Sequence, residues 1–237
     1  MDLAGILVID KPKGLTSHDV VLKVRKAINV RKVGHLGTLD PMATGVLPLC
    51  IGRATKIARF LDNVKKEYVA KIRFGVETDS YDVTGRVIAE TDTSFICEED
   101  VRRTLQLFKG KMNQIPPMFS AIKVNGTPLY KLARKGINIE RKPREIEIYS
   151  IDIEEVNLPY LALRISCSKG TYIRSLGHDI GMRLGCGAHL VALRRIKNGQ
   201  FTLEDSIGLD QPYDKLIEKI IDIDDVISSI PDAAANG

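Results

Sequence analysis

One short segment of this chain combines a carboxylate with a backbone that cannot form a regular helix or strand. Residues 34–45 read GHLGTLDPMATG, with three glycines, one proline and a single acidic residue, Asp40. The glycines give the backbone freedom, whereas Pro41 fixes its own φ and disfavours the α region for Asp40. A carboxylate fixed in this way is a candidate catalytic group. The alternative is a turn in which the Asp40 side chain only bonds its own backbone.

A second candidate is an arginine at the start of a predicted helix. Residues 168–174 read SKGTYIR and open a segment with apolar residues at helical spacing, for which Thr171 is the predicted N-cap. Arg174 then lies in the first turn, where the helix dipole disfavours a cation. A carboxylate or a phosphate should hold it there, and Asp40 is a candidate partner. An ordinary structural ion pair is the other interpretation.

Tyr68 and His35 also have two interpretations each. Residues 68–74 alternate in polarity, which predicts a strand with Tyr68 on its apolar face. Tyr68 is therefore either a core residue or a platform for a nucleic-acid base. His35 lies five residues before Asp40, and it is either a packing residue of the loop or a substrate contact.

The net charge of +5 conceals an asymmetry along the chain. Residues 102–144 contain 11 Lys and Arg against Glu140 alone, and residues 11–39 contain 7 against Asp19 alone. Residues 204–237 contain 9 acidic residues against 2 lysines. Two separate basic segments indicate a surface that binds a polyanion, although a run of charge can also be a solvated face. With no Trp and 5% aromatic residues, a general stacking platform for single strands is not expected.

Several classes of protein are disfavoured by composition. The 237 residues fit one large domain, with or without a small appendage. No apolar run is long enough to span a bilayer and the N-terminus lacks a signal-peptide pattern, so a cytoplasmic protein is expected. The 4 cysteines are scattered, which favours reduced, buried thiols over a disulfide framework. Cys186 and His189 lack a second ligand pair, so no metal site is predicted.

Hydrophobic periodicity predicts the elements that must position these residues. The predicted helices are about 16–28, 54–61, 98–108 and 171–184, with a basic helical turn ending near 134. The predicted strands are 5–9, 46–51, 68–74, 86–89, 120–124, 145–156 and 161–167, and 75–85 is a polar loop. Pro48 predicts an edge strand or a bulge at 46–51. The order favours an α+β fold, with a mixed, mainly antiparallel sheet and flanking helices, over a doubly wound parallel sheet.

Ordered motifs give the chain a family resemblance. They are GILVIDKP at 5–12, the glycine-rich loop at 34–45, a loop at 75–85 with the pattern TDSYDVT, SCSKGTYIR at 166–174 and ALRR at 192–195. By these motifs the chain resembles the TruB family of tRNA pseudouridine synthases, from Gly5 to about Phe201. The resemblance implies a pseudouridine synthase catalytic domain over residues 1–207 that isomerises the T-loop uridine of tRNA, at position 55.

The resemblance also implies roles for particular residues. Asp40 matches the catalytic aspartate, Tyr68 the aromatic that stacks on the flipped uracil, and Arg174 the arginine that pairs with the aspartate. Three further positions match residues that contact the substrate or fill the space left by extruded bases: Tyr172, Leu193 and His35. No cofactor is implied, and a monomer is expected.

A basic insertion at about 115–145 resembles the segment that closes over the RNA in this family. The backbone contacts implied there are Lys123, Lys131, Arg134 and Lys135, and the partner is the T-arm stem-loop of tRNA. Family members usually carry a C-terminal PUA domain that grips the acceptor stem. Residues 208–237 predict only a short acidic segment, with that domain absent or truncated.

The chemistry leaves alternatives open. Asp40 would attack the sugar C1′ or would help to remove a C2′ proton to give a glycal, and Tyr68 is a candidate for the base that removes the C5 proton. One competing function is a non-catalytic RNA-binding module that uses the same basic surface. Another is a sugar or phosphate-ester hydrolase that uses Asp40 with Asp79 or Asp82.

Overall fold

The computed structural model describes residues 3–62 and 64–228, in two compact units. The first unit comprises residues up to Glu67 together with those from Arg194 onward, and the second runs from Tyr68 to Leu193. Of the acidic segment predicted at 208–237, the part from 229 onward lies outside the described residues. In the described part of the chain, no helix is long and apolar enough to cross a membrane.

The described residues form strands of very unequal length and a few short helices. The strands are β1 Gly5–Lys11, β2 Val33–His35, β3 Thr44–Ile51, β4 Lys66–Phe74, β5 Val76–Thr78, β6 Val87–Glu90, β7 Gly110–Gln114, β8 Lys123–Val124, β9 Thr127–Pro128, β10 Arg144–Asn157, β11 Tyr160–Cys167, β12 Ala188–Asn198, β13 Phe201–Thr202, β14 Ile207–Gly208 and β15 Ile221–Asp222. The α-helices are α1 Ser17–Ile28, α2 Ala58–Leu61, α3 Glu98–Gln106, α4 Leu129–Ala133, α5 Ile173–Leu184, α6 Tyr213–Glu218 and α7 Ile223–Ser228, and a 3₁₀ helix covers Gly52–Lys56.

The first unit is built on β1 and β3, which pair antiparallel along their whole length. β1 also pairs with β14 in parallel and with β15 antiparallel, and β3 pairs with β2 antiparallel. The C-terminal part of β12 joins β3 in parallel, with Arg195 opposite Gly45. A cluster of buried side chains fills the core of this unit: Ile6, Val8, Leu36, Val46, Cys50, Ala54, Leu61, Phe201, Ile223 and Val226.

The sequence predictions for the first unit are largely confirmed. α1 begins after Thr16, whose side chain and that of Asp19 form a reciprocal capping box. The helix predicted at 54–61 is instead a 3₁₀ turn followed by the short helix α2.

The edge position predicted for β3 from Pro48 is wrong. β3 has β1 along one side, with β2 and β12 along parts of the other. The Pro48 carbonyl accepts a hydrogen bond from the Leu36 N–H at 2.9 Å. Pro48 lies between the β3 residues that pair with β12 and those that pair with β2, so its missing N–H interrupts neither ladder.

The second unit contains neighbouring strands in the order β12, β4, β11, β10, β7. β10 pairs antiparallel with both β11 and β7, and β5–β6 and β8–β9 form two separate antiparallel pairs. α5 packs on β4, where Gly177 faces the Ile72 side chain. Both units therefore confirm an α+β fold with a mixed, mainly antiparallel sheet.

Alternation in β4 is as predicted, since Tyr68, Ala70, Ile72 and Phe74 are all buried. The polar loop predicted at 75–85 begins with the short strand β5, which pairs with β6. The strand predicted at 120–124 is only the two residues of β8.

The turn between β8 and β9 follows the predicted chemistry. Asn125 and Gly126 take φ values of 50° and 79°, the left-handed pair that a tight two-residue hairpin requires. α4 follows this hairpin directly and ends at Ala133. The predicted order of strand, turn and basic helical turn is therefore confirmed, with a shorter strand.

Candidate active site

The loop that carries Asp40 is held by backbone hydrogen bonds on both sides of the carboxylate. The Asp40 carbonyl accepts from the Ala43 N–H at 3.0 Å, which closes a turn, and the Asp40 side chain is half-buried. Ser17, at the start of α1, bonds the Leu39 backbone twice, accepting from its N–H at 2.9 Å and donating to its carbonyl at 3.0 Å. The backbone on which the carboxylate sits is therefore fixed to α1.

Lys11, the last residue of β1, is fully buried beneath this loop. Its Nζ donates to the carbonyls of Leu15 at 2.6 Å and Pro12 at 2.9 Å, and it lies 3.5 Å from the Pro41 carbonyl. Burial lowers the pKa of Lys11 to about 8, against the opposing attraction of the Asp40 carboxylate. The cation therefore holds the loop backbone and stabilises a negative charge on Asp40.

The titration of Lys11 predicts a rise of stability with pH. The folded chain releases this proton near pH 8, whereas the reference value is 10.5. Between these values the unfolded chain binds more protons, so the free energy of unfolding should increase with pH. Below about pH 8 both the folded and the unfolded chain hold the proton, so the full free-energy cost of burying the Lys11 charge lowers the stability. Urea titrations across this window should show the rise in the native chain and in Lys13→Met, whose lysine is exposed, but not in Lys11→Met. An equal rise in Lys11→Met would contradict the assignment.

Arg195, in β12, holds the other side of the loop. Its side chain is fully buried, with Nε donating to the Val46 carbonyl at 2.7 Å and Nη2 donating to the Gly37 carbonyl at 3.0 Å. Gly45 has a φ of +100°, and a Cβ there would lie 2.1 Å from the Arg195 carbonyl oxygen. This approach requires glycine, so the loop motif and the ALRR motif are parts of one packing arrangement.

His35 ends β2 and is half-buried. Burial lowers its pKa, and the nearby Arg195 lowers it further. Its Nδ1 is buried and has no hydrogen-bond partner within residues 3–62 and 64–228. A neutral ring on the loop that bears Asp40 suits a packing or space-filling role better than a catalytic one.

Arg174 lies in the first turn of α5, as predicted, and is almost completely buried. Its Nη1 donates to the Ser80 carbonyl at 3.0 Å and its Nη2 to the Phe119 carbonyl at 2.8 Å. The Asp82 carboxylate lies 3.5 Å from Nη1. The expectation that a carboxylate holds this cation is therefore confirmed with Asp82, which the sequence did not single out for this role. Pairing with Asp40 stays a prediction.

Asp82 is itself fixed by its own loop. Its Oδ1 accepts from the Ser80 hydroxyl at 2.8 Å, the Thr84 N–H at 2.9 Å and the Thr84 hydroxyl at 2.5 Å. Asp79, in contrast, forms an ion pair with the exposed Arg86 at 3.1 Å. Asp82 thus aligns the arginine, and its carboxylate is committed to this network.

Thr171 is not the N-cap of α5, contrary to the sequence prediction. Tyr172 occupies that position and its side chain makes no capping bond. The Tyr172 N–H instead donates to the Gln114 Oε1 at 2.8 Å, and Gln114 Nε2 donates back to the Tyr172 carbonyl at 3.1 Å. The Thr171 hydroxyl bonds the Ser168 carbonyl at 2.9 Å, within the preceding turn. A glutamine from β7 therefore replaces a local cap.

The remaining predicted substrate contacts lie in the second unit. Tyr68 and Leu193 are buried, with 6% and 7% of their surface exposed, on the neighbouring strands β4 and β12. Tyr172 is half-buried at the start of α5, two residues before Arg174. The 6% exposure of Tyr68 fits both a core residue and a platform that a base covers.

The four basic residues assigned to the RNA backbone all lie on the surface. Lys123 is in β8, Lys131 in α4, and Arg134 and Lys135 follow α4, and all are exposed. Arg134 lies over the Tyr130 ring, 5.5 Å from its centroid. None of the four forms an ion pair within the described residues. Their charges are therefore available to an external polyanion.

The four cysteines are free thiols, and Cys186 and His189 each contact a backbone carbonyl. Cys50, Cys167 and Cys186 are buried and Cys97 is exposed, and all four are free thiols. Cys186 Sγ contacts the Gly187 carbonyl at 3.2 Å, and His189 Nδ1 contacts the Val76 carbonyl at 2.8 Å. Among the residues that the structure describes, no group of three or more His, Cys, Asp or Glu could hold a metal ion.

Two family models match the chain. Residues 25–173 match the model described as TruB family pseudouridylate synthase, N-terminal domain. Residues 174–229 match the model described as tRNA pseudouridylate synthase B, C-terminal domain.

Proteins named tRNA pseudouridine synthase B are similar over most of this chain. The protein from Geotalea uraniireducens is 54% identical over 206 residues, covering 87% of this chain and 66% of the relative. The protein from Clostridium tetani is 52% identical over 217 residues, covering 92% and 75%. The chain thus spans only part of the length of these relatives.

Chains in solved structures of larger complexes are also similar to this chain. A chain in the crystal structure of a Cbf5-Nop10-Gar1 complex is 32% identical, with a TM-score of 0.71 over 91% of this chain and 58% of that one. A chain in an H/ACA RNP bound to a substrate RNA containing 2′-deoxyuridine is 29% identical, with a TM-score of 0.68 over 92% and 58%.

Proposed function

Because the chain belongs to the TruB family of pseudouridylate synthases, we propose that it converts the T-loop uridine at tRNA position 55 into pseudouridine. The observation that carries the proposal is the loop of Asp40, whose backbone is held by Ser17, Lys11 and Arg195. A loop that serves only as a connection does not need two buried cations on its carbonyls. The proposed substrate is the T-arm stem-loop, and the proposed enzyme is a cytoplasmic monomer.

The reaction is an isomerisation that needs no external reagent. The bond between uracil N1 and the sugar C1′ breaks, the base turns, and a bond between C5 and C1′ forms. The proton on C5 is lost and N1 gains one, so atoms and electrons balance within the nucleotide. No electron or group donor is consumed, and the proposed mechanism uses no cofactor.

Asp40 is the proposed catalytic carboxylate. Glycosidases commonly use two carboxylates because they must protonate a leaving group and activate water. Here the base returns to the same sugar, so a single carboxylate suffices. Asp40 either attacks C1′ or assists removal of the C2′ proton to give a glycal, and the charge of Lys11 favours its ionised form for both routes.

The other predicted residues complete the proposal. Tyr68 stacks on the flipped uracil and is the candidate base for C5, Tyr172 and Leu193 line the base pocket, and His35 fills the space that extruded bases leave. Flipping the base costs a few kcal/mol of stacking. Arg174 is proposed to orient Asp40 in the reaction, which its fixed guanidinium plane supports.

The competing functions are less well supported by the side chains. A hydrolase that used Asp82 would need a free carboxylate, but this one accepts three hydrogen bonds and faces Arg174. Asp79 pairs with Arg86. A purely RNA-binding module would not require Asp40 to be held in place.

Incubation with an unmodified T-arm stem-loop tests the function directly. Release of tritium from C5-labelled uridine, followed by nucleoside analysis, should show one pseudouridine per stem-loop. A stem-loop with cytidine at the target position is the matched control and should release nothing. Binding without isomerisation would favour the RNA-binding module, and cleavage of the sugar-base bond or backbone would favour the hydrolase.

Two substitutions at Tyr68 should separate stacking from proton transfer. Stacking needs only the ring, whereas proton abstraction needs the hydroxyl. We expect Tyr68→Phe to bind the stem-loop normally and to lose about 10²-fold in kcat if the hydroxyl is the base, and Tyr68→Leu to lose both binding of the base and turnover. Full turnover in Tyr68→Phe would leave the residue as a platform only, and an active Tyr68→Leu would make it a core residue.

Binding to the stem-loop should depend strongly on salt. We expect the slope of log affinity against log salt to change by about 0.7–0.9 for each phosphate contact removed. Replacing Lys131, Arg134 and Lys135 by Ala should flatten the slope accordingly. The matched control is a triple Ala variant of Arg102, Arg103 and Arg164, whose charges already face Glu98, Asp100 and Glu154. Equal slopes in the two triple variants would show that the basic insertion at about 115–145 is only a solvated face.

A further inference from the structure

Tyr81 has a backbone conformation that its side chain disfavours. Its φ is +64°, in the left-handed region. Three described residues other than glycine have a positive φ, and the other two, Asn29 and Asn125, are of the type that tolerates it. A bulky aromatic residue at such a position is an outlier, and something must compensate for it. Glycine would be the default choice if only the turn mattered.

The compensation is a stacked ring pair. The Tyr81 ring lies on the His178 ring with centroids 3.9 Å apart and planes inclined by 11°. His178 is in α5, one turn after Arg174. Its Nδ1 lies 3.8 Å from the Glu77 carboxylate, and burial lowers its pKa despite that carboxylate, so the neutral ring predominates at neutral pH.

The residues on either side of Tyr81 are the ones that contact Arg174. The Ser80 carbonyl accepts a hydrogen bond from the guanidinium at 3.0 Å, and the Asp82 carboxylate lies 3.5 Å from Nη1. The Tyr81 backbone is fixed as well, since its N–H donates to Thr78 at 3.1 Å and its carbonyl accepts from the Leu190 N–H at 3.0 Å. Tyr81 is thus the central residue of a three-residue segment whose two flanking residues both approach Nη1 of the arginine.

We propose that the stack of Tyr81 on His178 is a positioning device that keeps Ser80 and Asp82 aligned on the Arg174 guanidinium. α5 carries both Arg174 and His178. The His178 ring anchors Tyr81, and the neighbours of Tyr81 contact Arg174. Arg174 and the Ser80 and Asp82 acceptors are therefore fixed to the same helix. Tyr81 and His178 are positioning residues, and their effect on turnover rests on the proposed function of Arg174.

Three variants separate positioning from plain structural support. Tyr81→Phe keeps the stack and loses only the hydroxyl, so kcat should stay within about twofold of native. Tyr81→Gly suits the left-handed backbone but loses the ring, and we expect kcat to fall about tenfold or more with KM nearly unchanged. Asn29→Gly is the control: it also places glycine at a position with positive φ, at the end of α1, and it should leave kcat native. Thermal unfolding of all three reports any loss of stability.

A double-mutant cycle identifies the stack itself as the cause. His178→Ala should lower kcat as much as Tyr81→Gly, and the combined variant should be no worse than either. An activity-independent readout is the Arg174 Nε–H signal in nitrogen-edited NMR spectra. It should be sharp in the native chain and in Tyr81→Phe, and broadened or shifted in Tyr81→Gly.

The outcomes distinguish this inference from the proposed function. Native kcat and a native Arg174 signal in Tyr81→Gly would overturn the inference and leave the function intact. A native chain that does not isomerise the stem-loop would overturn the function, and the NMR comparison would still decide the role of the stack. A fall in Tm with native kcat would show that Tyr81 serves stability alone.

Discussion

Replacement of Asp40 by Asn is expected to abolish pseudouridine formation while leaving RNA binding nearly unchanged. Asn keeps the size of the side chain and every backbone contact of the loop, but it removes the charge that the glycosidic step needs. We expect kcat to fall by at least about a thousandfold, as for other enzymes that lose an essential nucleophile or base. Single-turnover tritium release and filter binding with the T-arm stem-loop measure the two effects separately.

The matched control for this variant lies in the same loop. Thr38 is exposed two residues before Asp40, and Thr38→Ala should retain native turnover. If turnover of Asp40→Asn were within about tenfold of native, Asp40 would not be the catalytic carboxylate, since general acid–base effects alone are commonly larger.

Arg174→Lys should impair the enzyme strongly although it keeps the charge. The guanidinium serves the Ser80 and Phe119 carbonyls and faces Asp82, and an ammonium cannot span all three. We expect kcat to fall by about 10²-fold, as for a misplaced catalytic group. The free energy of unfolding should fall by about 2–4 kcal/mol, because buried acceptors lose their donors. Steady-state kinetics and urea denaturation provide the two measurements.

Arg194→Lys is the control for stability. Arg194 makes a two-pronged pair with Asp10, at 2.8 and 3.1 Å, but both side chains are partly exposed. The expected loss is therefore below about 1 kcal/mol. If Arg174 acts by orienting Asp40, its substitution should have little further effect on kcat in the Asp40→Asn background. Native kcat in Arg174→Lys would show that the planar fork has no role in the reaction.

Local sequence patterns predicted the helices and strands well where the burial of one face determines the secondary structure. The alternation of β4 and the buried face of α1 are both encoded within about ten residues of sequence, in periodicities of two and 3.6. Predictions failed where a distant partner decides the outcome. Pro48 lies inside a sheet because β2 and β12 leave a gap beside it, and α5 begins at Ile173, where Gln114 from β7 bonds the N-cap residue Tyr172.

The candidate site shows the same division. Asp40 and Arg174 were singled out as candidates because Pro41 constrains the backbone of the first and the helix dipole disfavours the charge of the second. The contacts of Lys11 with the Pro41 carbonyl, of Arg195 with the Gly37 carbonyl and of Asp82 with Arg174 were not predicted, because each joins residues far apart in the sequence. Lys11 ends a mostly apolar strand, whereas Arg195 lies in a strand of mixed polarity, and only the register of these strands shows which groups the two cations contact.

The distance along the chain between the Asp40 loop and its C-terminal support has a consequence for biosynthesis. Arg195 and Asn198 bond the Gly37, Val46 and Leu36 carbonyls across 149 to 162 residues. Synthesis proceeds at about 5–20 residues per second, so roughly 8–30 seconds pass between the synthesis of the loop and that of these side chains. The loop proposed to be catalytic is therefore secured only after residues 102–144, which carry the charges proposed to bind RNA, have been synthesised.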